Sequence, residues 1–241
     1  MTAKDDAGGR PARGIDLLWG EAGRPGRGPK PGLTVRRIAL AAIAIADAEG
    51  LSAVSLQRVA GEVGVTTTAL YRYLPGKTEL INLMIDMGIG EPPDLDRMPG
   101  GWRPKLEEWA RRLWAILHAH PWALQASAQV RPMGPNELGW LESAIGALTG
   151  TGLTAGELFD AAAVLGGHVR SMAQAQQQAT GEEWEPAITR VLQKHGDRYP
   201  AMMAAIGSGA LSPSDNDGLE FGLRCVLDGL GVLIAERAAE P

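Results

Sequence analysis

Within the twelve residues from Thr66 to Lys77 the chain carries three threonines, two tyrosines, an arginine and a lysine. Hydroxyls and cations at this density suit phosphate oxygens, and threonine offers a base edge both a hydrogen bond and a methyl group. Other chemistries lack their residues. There is no glycine-rich phosphate loop, no nucleophile elbow and no zinc-protease helix motif. His118 and His120 are two apart, so they do not share a helix face. No cysteine lies near them, and neither a metal nor a cofactor is expected.

The elements that must position the polar cluster are legible around it. Leu56, Val59, Ala60 and Val63 recur at helical spacing and predict one buried stripe. Ser55 precedes the stripe as its N-cap. Ala60 is small enough for two helices to cross closely, and Gly64 ends the first helix where a left-handed backbone costs glycine little. Val65 then turns into the core and Thr66 caps a second helix. In that helix Ala69, Leu70 and Tyr73 fall on the core side, while Thr67, Thr68, Tyr71 and Arg72 face outward. Tyr73 stands between two roles, core packing and DNA contact. Pro75-Gly76 stops the helix. Lys77 opens the next, over 77–88, with Leu80, Ile81, Met84 and Ile85 as its buried face. Two short helices and a tight turn, the second outwardly polar, read as a helix-turn-helix with its second helix for the major groove.

The run Gly64-Val-Thr-Thr-Thr-Ala-Leu-Tyr-Arg-Tyr-Leu-Pro-Gly-Lys77 resembles the N-terminal domain of TetR-family transcriptional regulators. The preceding helix, 34–49, fits the same pattern, with Thr34 as cap, Val35, Ile38, Ala42 and Ile45 as stripe and Gly50 as stop. The close resemblance covers residues 33–88. It implies that Thr67 and Thr68 read base edges, that Tyr71 and Tyr73 touch phosphate or a thymine methyl, and that Lys77 binds phosphate at a helix N-terminus. It implies that the Ser55 hydroxyl anchors the motif to the DNA backbone. Thr66 and Arg72 complete this candidate set. Two features depart from the family pattern: more than thirty residues precede the first helix, and Gly76 stands where a polar residue is usual.

Charge divides along the chain. Residues 1–77 hold 11 Lys+Arg against 7 Asp+Glu, and residues 78–241 hold 12 against 21, giving the overall −5. The basic part coincides with the motif, and the acidic remainder should face away from a polyanion. Arg24, Arg27 and Lys30 recur every three residues in a segment too rich in proline and glycine to fold alone. Residues 1–32 are therefore expected as a flexible basic arm, either reaching a minor groove or merely solubilising. Ile15, Leu17, Leu18 and Trp19 form a small apolar cluster within it that would suit docking on the protein surface.

The rest reads as all-α, in two parts. The helix-turn-helix domain spans 33–88, and a proline- and glycine-rich junction at 90–101 leads into a helical domain over 102–241. Helices are expected at 102–119, 121–130, 136–149, 154–178, 184–206 with a break at Pro200, and 215–236, and residues 207–216 as a flexible loop. The single Cys225 precludes an internal disulfide and suits the cytoplasm. No stretch is long and apolar enough for a membrane span, and no membrane partner is expected. Segment 102–172 is rich in large side chains. Trp109, Leu113, Trp114, Leu117, Trp122, Met133, Trp140, His168 and Met172 are candidates for lining an effector pocket, or are ordinary core. His168 needs a partner, whether ligand, backbone carbonyl or second chain.

Leu158, Ala162, Leu165 and Val169 recur at spacings of four and three, as do Leu219, Leu223, Val226, Leu230 and Leu233. By the resemblance, these two stripes form a four-helix interface between protomers; the alternative is that they fill the core of one. The combined expectation is no enzyme, but a homodimeric repressor on a pseudo-palindromic double-stranded operator, released by a hydrophobic or aromatic small molecule. A constitutive DNA-binding protein, an activator, or a helical enzyme or carrier are the alternatives.

Overall fold

Apolar residues at helical spacing become helices throughout residues 9–20, 33–179, 184–208 and 218–239, which the computed structural model describes. Among them every α or 3-10 element is helical and no strand occurs. Two compact units divide between Leu148 and Thr149.

The first unit holds α1 (Gly9–Leu18), α2 (Val35–Glu49), α3 (Leu56–Glu62), α4 (Thr67–Leu70), α5 (Lys77–Ile89), α6 (Trp102–Ala119), α7 (Trp122–Ala126) and α8 (Pro135–Leu148). Its core gathers Ile38, Ala42 and Ile45 from α2, Val59 and Ala60 from α3, Leu70 from α4, and Leu80, Met84 and Ile85 from α5. Ile38, Val59, Leu70, Leu80 and Met84 are wholly buried. Each such side chain contributes about 1.5–3 kcal/mol by leaving water.

The helix α1 corrects the expected arm. Residues 1–32 do not all stand free: Leu18 enters the core, Leu17 packs against it, and α1 lies on α5. Ile15 and Trp19 remain on the outside. The apolar cluster was visible in the sequence and suited docking, but the surface it docks on comes from α5, far along the chain. Arg24, Arg27 and Lys30 lie outside the described residues.

Local signals set most ends. Thr34 Oγ1 accepts the Arg37 amide at 3.1 Å and starts α2. Gly50 closes it, its N–H donating to the Ala46 carbonyl at 2.8 Å. α6 has the expected limits. α7 is shorter than expected, since the Ser127 hydroxyl turns back to the Ala123 carbonyl at 2.8 Å. Asp47 of α2 ties in the corner between α6 and α7, where its Oδ1 accepts from His120 Nδ1 at 2.7 Å and from Trp122 Nε1 at 2.6 Å.

The second unit holds α9 (Ala155–Ala179), α10 (Trp184–His195), a 3-10 turn at Gly196–Arg198, α11 (Pro200–Gly207) and α12 (Gly218–Ala239). The break before α11 comes at residues 196–199 rather than at Pro200, which instead opens α11, where its missing N–H costs nothing. The loop expected over 207–216 lies largely outside the described residues. α9 packs along α12.

A capping box starts α9: Thr154 N–H donates to Glu157 Oε2 at 2.8 Å, and Glu157 N–H to Thr154 Oγ1 at 3.4 Å. Arg237 of α12 donates to Glu157 Oε1 at 2.6 Å. The Arg237 side chain, then the Thr154 amide and hydroxyl, hold the Glu157 carboxyl down to about 2 from its usual 4.5. A carboxyl with a lowered folded pKa adds stability above its unfolded value, and loses it as pH falls. The thermal midpoint of wild type is thus expected to drop between pH 4.5 and 2 by more than that of Glu157→Gln. Parallel acid profiles of the two proteins would contradict this.

Candidate nucleic-acid interface

The motif is built by capping. Ser55 Oγ accepts the Arg58 amide at 3.2 Å and starts α3. At the far end Gly64 takes φ +75°. The Val65 amide bonds back to Ala60 at 2.9 Å and the Gly64 amide to Gly61 at 3.1 Å, the paired closure of a Schellman turn. Thr66 Oγ1 accepts the Ala69 amide at 3.2 Å and starts α4. Regular α geometry covers Thr67–Leu70, and tighter turns carry the chain on to Leu74. Buried Leu70 and Leu74 pin this element to the core.

The pinning decides what faces out. Thr66, Thr68, Tyr71, Arg72 and Lys77 are exposed, Thr67 half-buried. Tyr71 exposes 56% of its surface, a large aromatic left without packing. Tyr73 is half-buried, its ring packed against the core. Ser55 and Thr66 spend one oxygen lone pair on their caps, and each keeps its hydroxyl proton to donate to a phosphate. Gly76 supplies no side-chain cap to α5, so the first amides of that helix lie open beside Lys77. Arg36, Arg37 and Arg58 are exposed near the same motif. The first two stand outside the apolar stripe of α2, and their charge is the signal that marks them in the sequence. Arg58 pairs with Glu49 at 2.5 Å, both about half exposed, a bridge of small value that a phosphate can replace.

The effector-pocket candidates are dispersed. Trp109, Leu113 and Leu117 lie on the buried face of α6. Trp109 Nε1 donates to the Trp140 carbonyl at 2.9 Å, and Trp140 Nε1 to the Gly90 carbonyl at 3.1 Å. Their rings meet edge to face at 5.7 Å. With Trp122 bonded to Asp47, these three indoles serve as core joints. Trp114 is half-buried beside His118, with ring centres 4.2 Å apart. Met133 is exposed. In the second unit His168 Nε2 donates to the Leu219 carbonyl at 3.1 Å, so its partner is a backbone carbonyl of its own chain. Its ring fills the space that a side chain at Gly222 would need, and Met172 lies against Gly218 in the same way.

The stripes expected between protomers are mostly used within one. Ala162, Leu165, Val169, Leu219 and Leu223 are buried, while Leu158, Val226, Leu230 and Leu233 are half-buried. A heptad repeat shows that a helix has a helical partner but not whose it is. The large apolar side chains left exposed on these helices are Phe159 and Val164 of α9 and Phe221 and Val232 of α12.

One polar cluster escaped sequence reasoning. Asp86, Glu137 and Asn82 are the buried polar residues among those described, and Asp86 and Glu137 meet where α5 reaches α8. Burial pushes the Asp86 carboxyl up from its usual 3.8, and the nearby Glu137 charge adds to the rise; the Glu137 and Asn136 contacts and Arg131 oppose it. A raised folded pKa means that the stability tied to the proton is present below the unfolded value and lost as pH rises through the folded one.

An all-helical chain that caps a two-helix motif and turns threonine, tyrosine and arginine outward belongs to the class of helix-turn-helix DNA readers. The model of bacterial regulatory proteins of the tetR family matches residues 38–84, and that of the tetracyclin repressor-like C-terminal domain matches residues 93–234. The HTH-type transcriptional repressor DrrR1 of Streptomyces coeruleorubidus is 42% identical over 245 residues, covering 95% of this chain and 88% of its own. Among solved structures, the TetR family protein ActR of Streptomyces coelicolor in complex with actinorhodin superposes with TM-score 0.71 at 26% identity, over 83% of this chain and 96% of that one. Apo ActR gives 0.72 at 26% identity, over 86% and 99%. The chain belongs to the TetR family: it is a DNA-binding transcriptional regulator of the repressor type, not an enzyme. Among the described residues no helix is long and apolar enough to cross a membrane.

Proposed function

We propose that this chain is a homodimeric repressor that holds a pseudo-palindromic operator and lets go when a hydrophobic or aromatic small molecule binds. The observation that carries the DNA part is the outward polar face of α4 beside Lys77, held by two side-chain caps and two buried leucines. Thr67 and Thr68 read base edges. Ser55, Thr66, Tyr71, Arg72 and Lys77 hold phosphate, with Arg36, Arg37 and Arg58 beside them. Tyr73 supports the reading helix from behind. If the segment carrying Arg24, Arg27 and Lys30 adds minor-groove contacts, their removal should lower affinity most on A·T-rich flanks.

The dimer is supported by the exposed Phe159, Val164, Phe221 and Val232 and by a physical need. One short reading helix specifies too few base pairs, and two-fold symmetry doubles the contacts. The effector part is supported by the ActR–actinorhodin complex, a fold neighbour with a bound small molecule. On this chain the buried face of α6, with Leu113 and Leu117 next to half-buried Trp114, offers the apolar surface such a ligand needs. An effector releases DNA only by preferring a state that spaces the two reading helices differently.

Lys77→Ala tests the phosphate role. It is expected to weaken binding to every sequence alike and to reduce the salt dependence by about one counterion per half-site, about two for the dimer. Thr68→Ala is expected to change base preference at one position per half-site and leave the salt slope alone. Anisotropy titrations on the chain's own upstream DNA across several salt concentrations measure both, and identical slopes for wild type and Lys77→Ala would remove Lys77 from the interface.

A further inference from the structure

The cluster joining α5 to α8 plays no part in the DNA face. α8 starts at Pro135, so the capping position before it is Gly134, which has no side chain to offer. The cap comes from another helix: Asp86 Oδ1 accepts the Glu137 amide at 3.0 Å, the third amide of α8, where a local cap would normally bond. Glu137 completes the return half of the box by accepting the Gly134 amide at 3.2 Å. Arg131 fixes that carboxylate with two bonds, of 2.7 and 2.5 Å. The favour is mutual at the other helix end. Asn136 Nδ2 donates to the Asp86 carbonyl at 2.9 Å, and Trp140 Nε1 to that of Gly90 at 3.1 Å, both in the closing turn of α5. A Cβ on Gly134 would run into the Asp86 carboxylate, so a local cap and this one exclude each other. All these residues lie in one compact unit.

α5 is also the helix that Lys77 opens, directly after the reading helix. We infer that Asp86, by capping α8 from α5, is the positioning residue that locks the helix-turn-helix in its operator-binding pose. The inference rests on the operator reading above. It locates the step at which release must act: α5 cannot shift relative to the first turn of α8 without baring the buried Glu137 amide, a cost that restrains movement. The lock narrows the poses of the motif before DNA arrives, so less ordering is left to be done on binding.

The test uses the full chain and its own upstream DNA, with affinities corrected for the active fraction by stoichiometric titration. Asp86→Ala is expected to bind about 10-fold more weakly than wild type, the effect of one lost buried hydrogen bond. Its salt slope should stay at the wild-type value, because no phosphate contact is lost. Asp86→Asn keeps an oxygen acceptor and is expected to return to within about twofold of wild type. Asn136→Ala, which removes only the reverse bond from a half-buried position, is expected to lose about threefold with the same slope and serves where Asp86→Ala does not fold. Unchanged or tighter binding by a folded Asp86→Ala or by Asn136→Ala overturns the inference. A wild-type protein with no selective binding overturns the operator reading instead.

Discussion

Phe221→Glu is expected to turn the protein into a monomer and to cut operator affinity by about 10²–10⁴, the gain that linking two half-site contacts provides. Phe221 exposes 64% of its surface on α12, and Val232 lies three turns further along the same face. A charge there has no role to disturb in the protomer, because Leu219, Leu223 and Leu227 carry the packing against α9. The monomer should keep its helical content, with a halved mass in sedimentation, a lost shift on DNA, and a thermal midpoint that no longer depends on protein concentration. Phe159→Glu on α9 should behave alike. If both variants remain dimers with full affinity, the second copy uses another surface and this placement of the interface fails.

Gly222→Ala is expected to destabilise the second unit by about 2–4 kcal/mol, a large penalty for one methyl group. Gly222 lies in the second turn of α12, inside the helix, where alanine is ordinarily the better helix former by about 1 kcal/mol. The sign reverses because the His168 ring occupies the place of the new Cβ. The ring must swing out, and the 3.1 Å bond from its Nε2 to the Leu219 carbonyl breaks with it. His168→Ala alone should cost less, since it leaves a small gap rather than a collision. The double variant should recover most of the loss, a strong coupling of the kind expected for residues in contact. Denaturant titrations of the four proteins give the cycle. Additive losses would show that ring and glycine do not share this space.

These cases mark what the sequence made legible. Features that depend on a few neighbouring residues were read correctly: Thr34, Ser55 and Thr66 as caps, the Gly64 turn, the stripes of α2, α3 and α5, and the limits of α6. Each is decided within one or two helical turns. Features that depend on a distant partner were not. The apolar cluster of α1 found its surface on α5, so a segment read as free is partly docked. Trp109 of α6 and Trp140 of α8 were candidates for pocket lining, and the N–H of each is committed to a carbonyl many residues away. The heptads of α9 and α12 showed that the helices pair without saying that they pair with each other. Asp86 gave no sign at all. Its role exists because Gly134, about fifty residues on, lacks a side chain.

The same division separates surfaces that a local stripe encodes from those that it does not. A reading helix works by what it exposes, and exposure follows from a local stripe. A pocket works by what several helices leave between them, which no single stripe encodes. The acidic balance of residues 78–241 and the basic balance of residues 1–77 added a second, composition-level sign of which part meets DNA.

The central claim is that α4 presents a sequence-reading face to DNA, twice. Footprinting of the full chain on its own upstream region, at physiological salt, tests it most directly. Two protected half-sites related by a dyad, their centres about one helical turn or a multiple of it apart, are the predicted result. Thr68→Ala should change the protection at matching positions in both. Uniform, salt-labile protection with no preferred site would contradict the account.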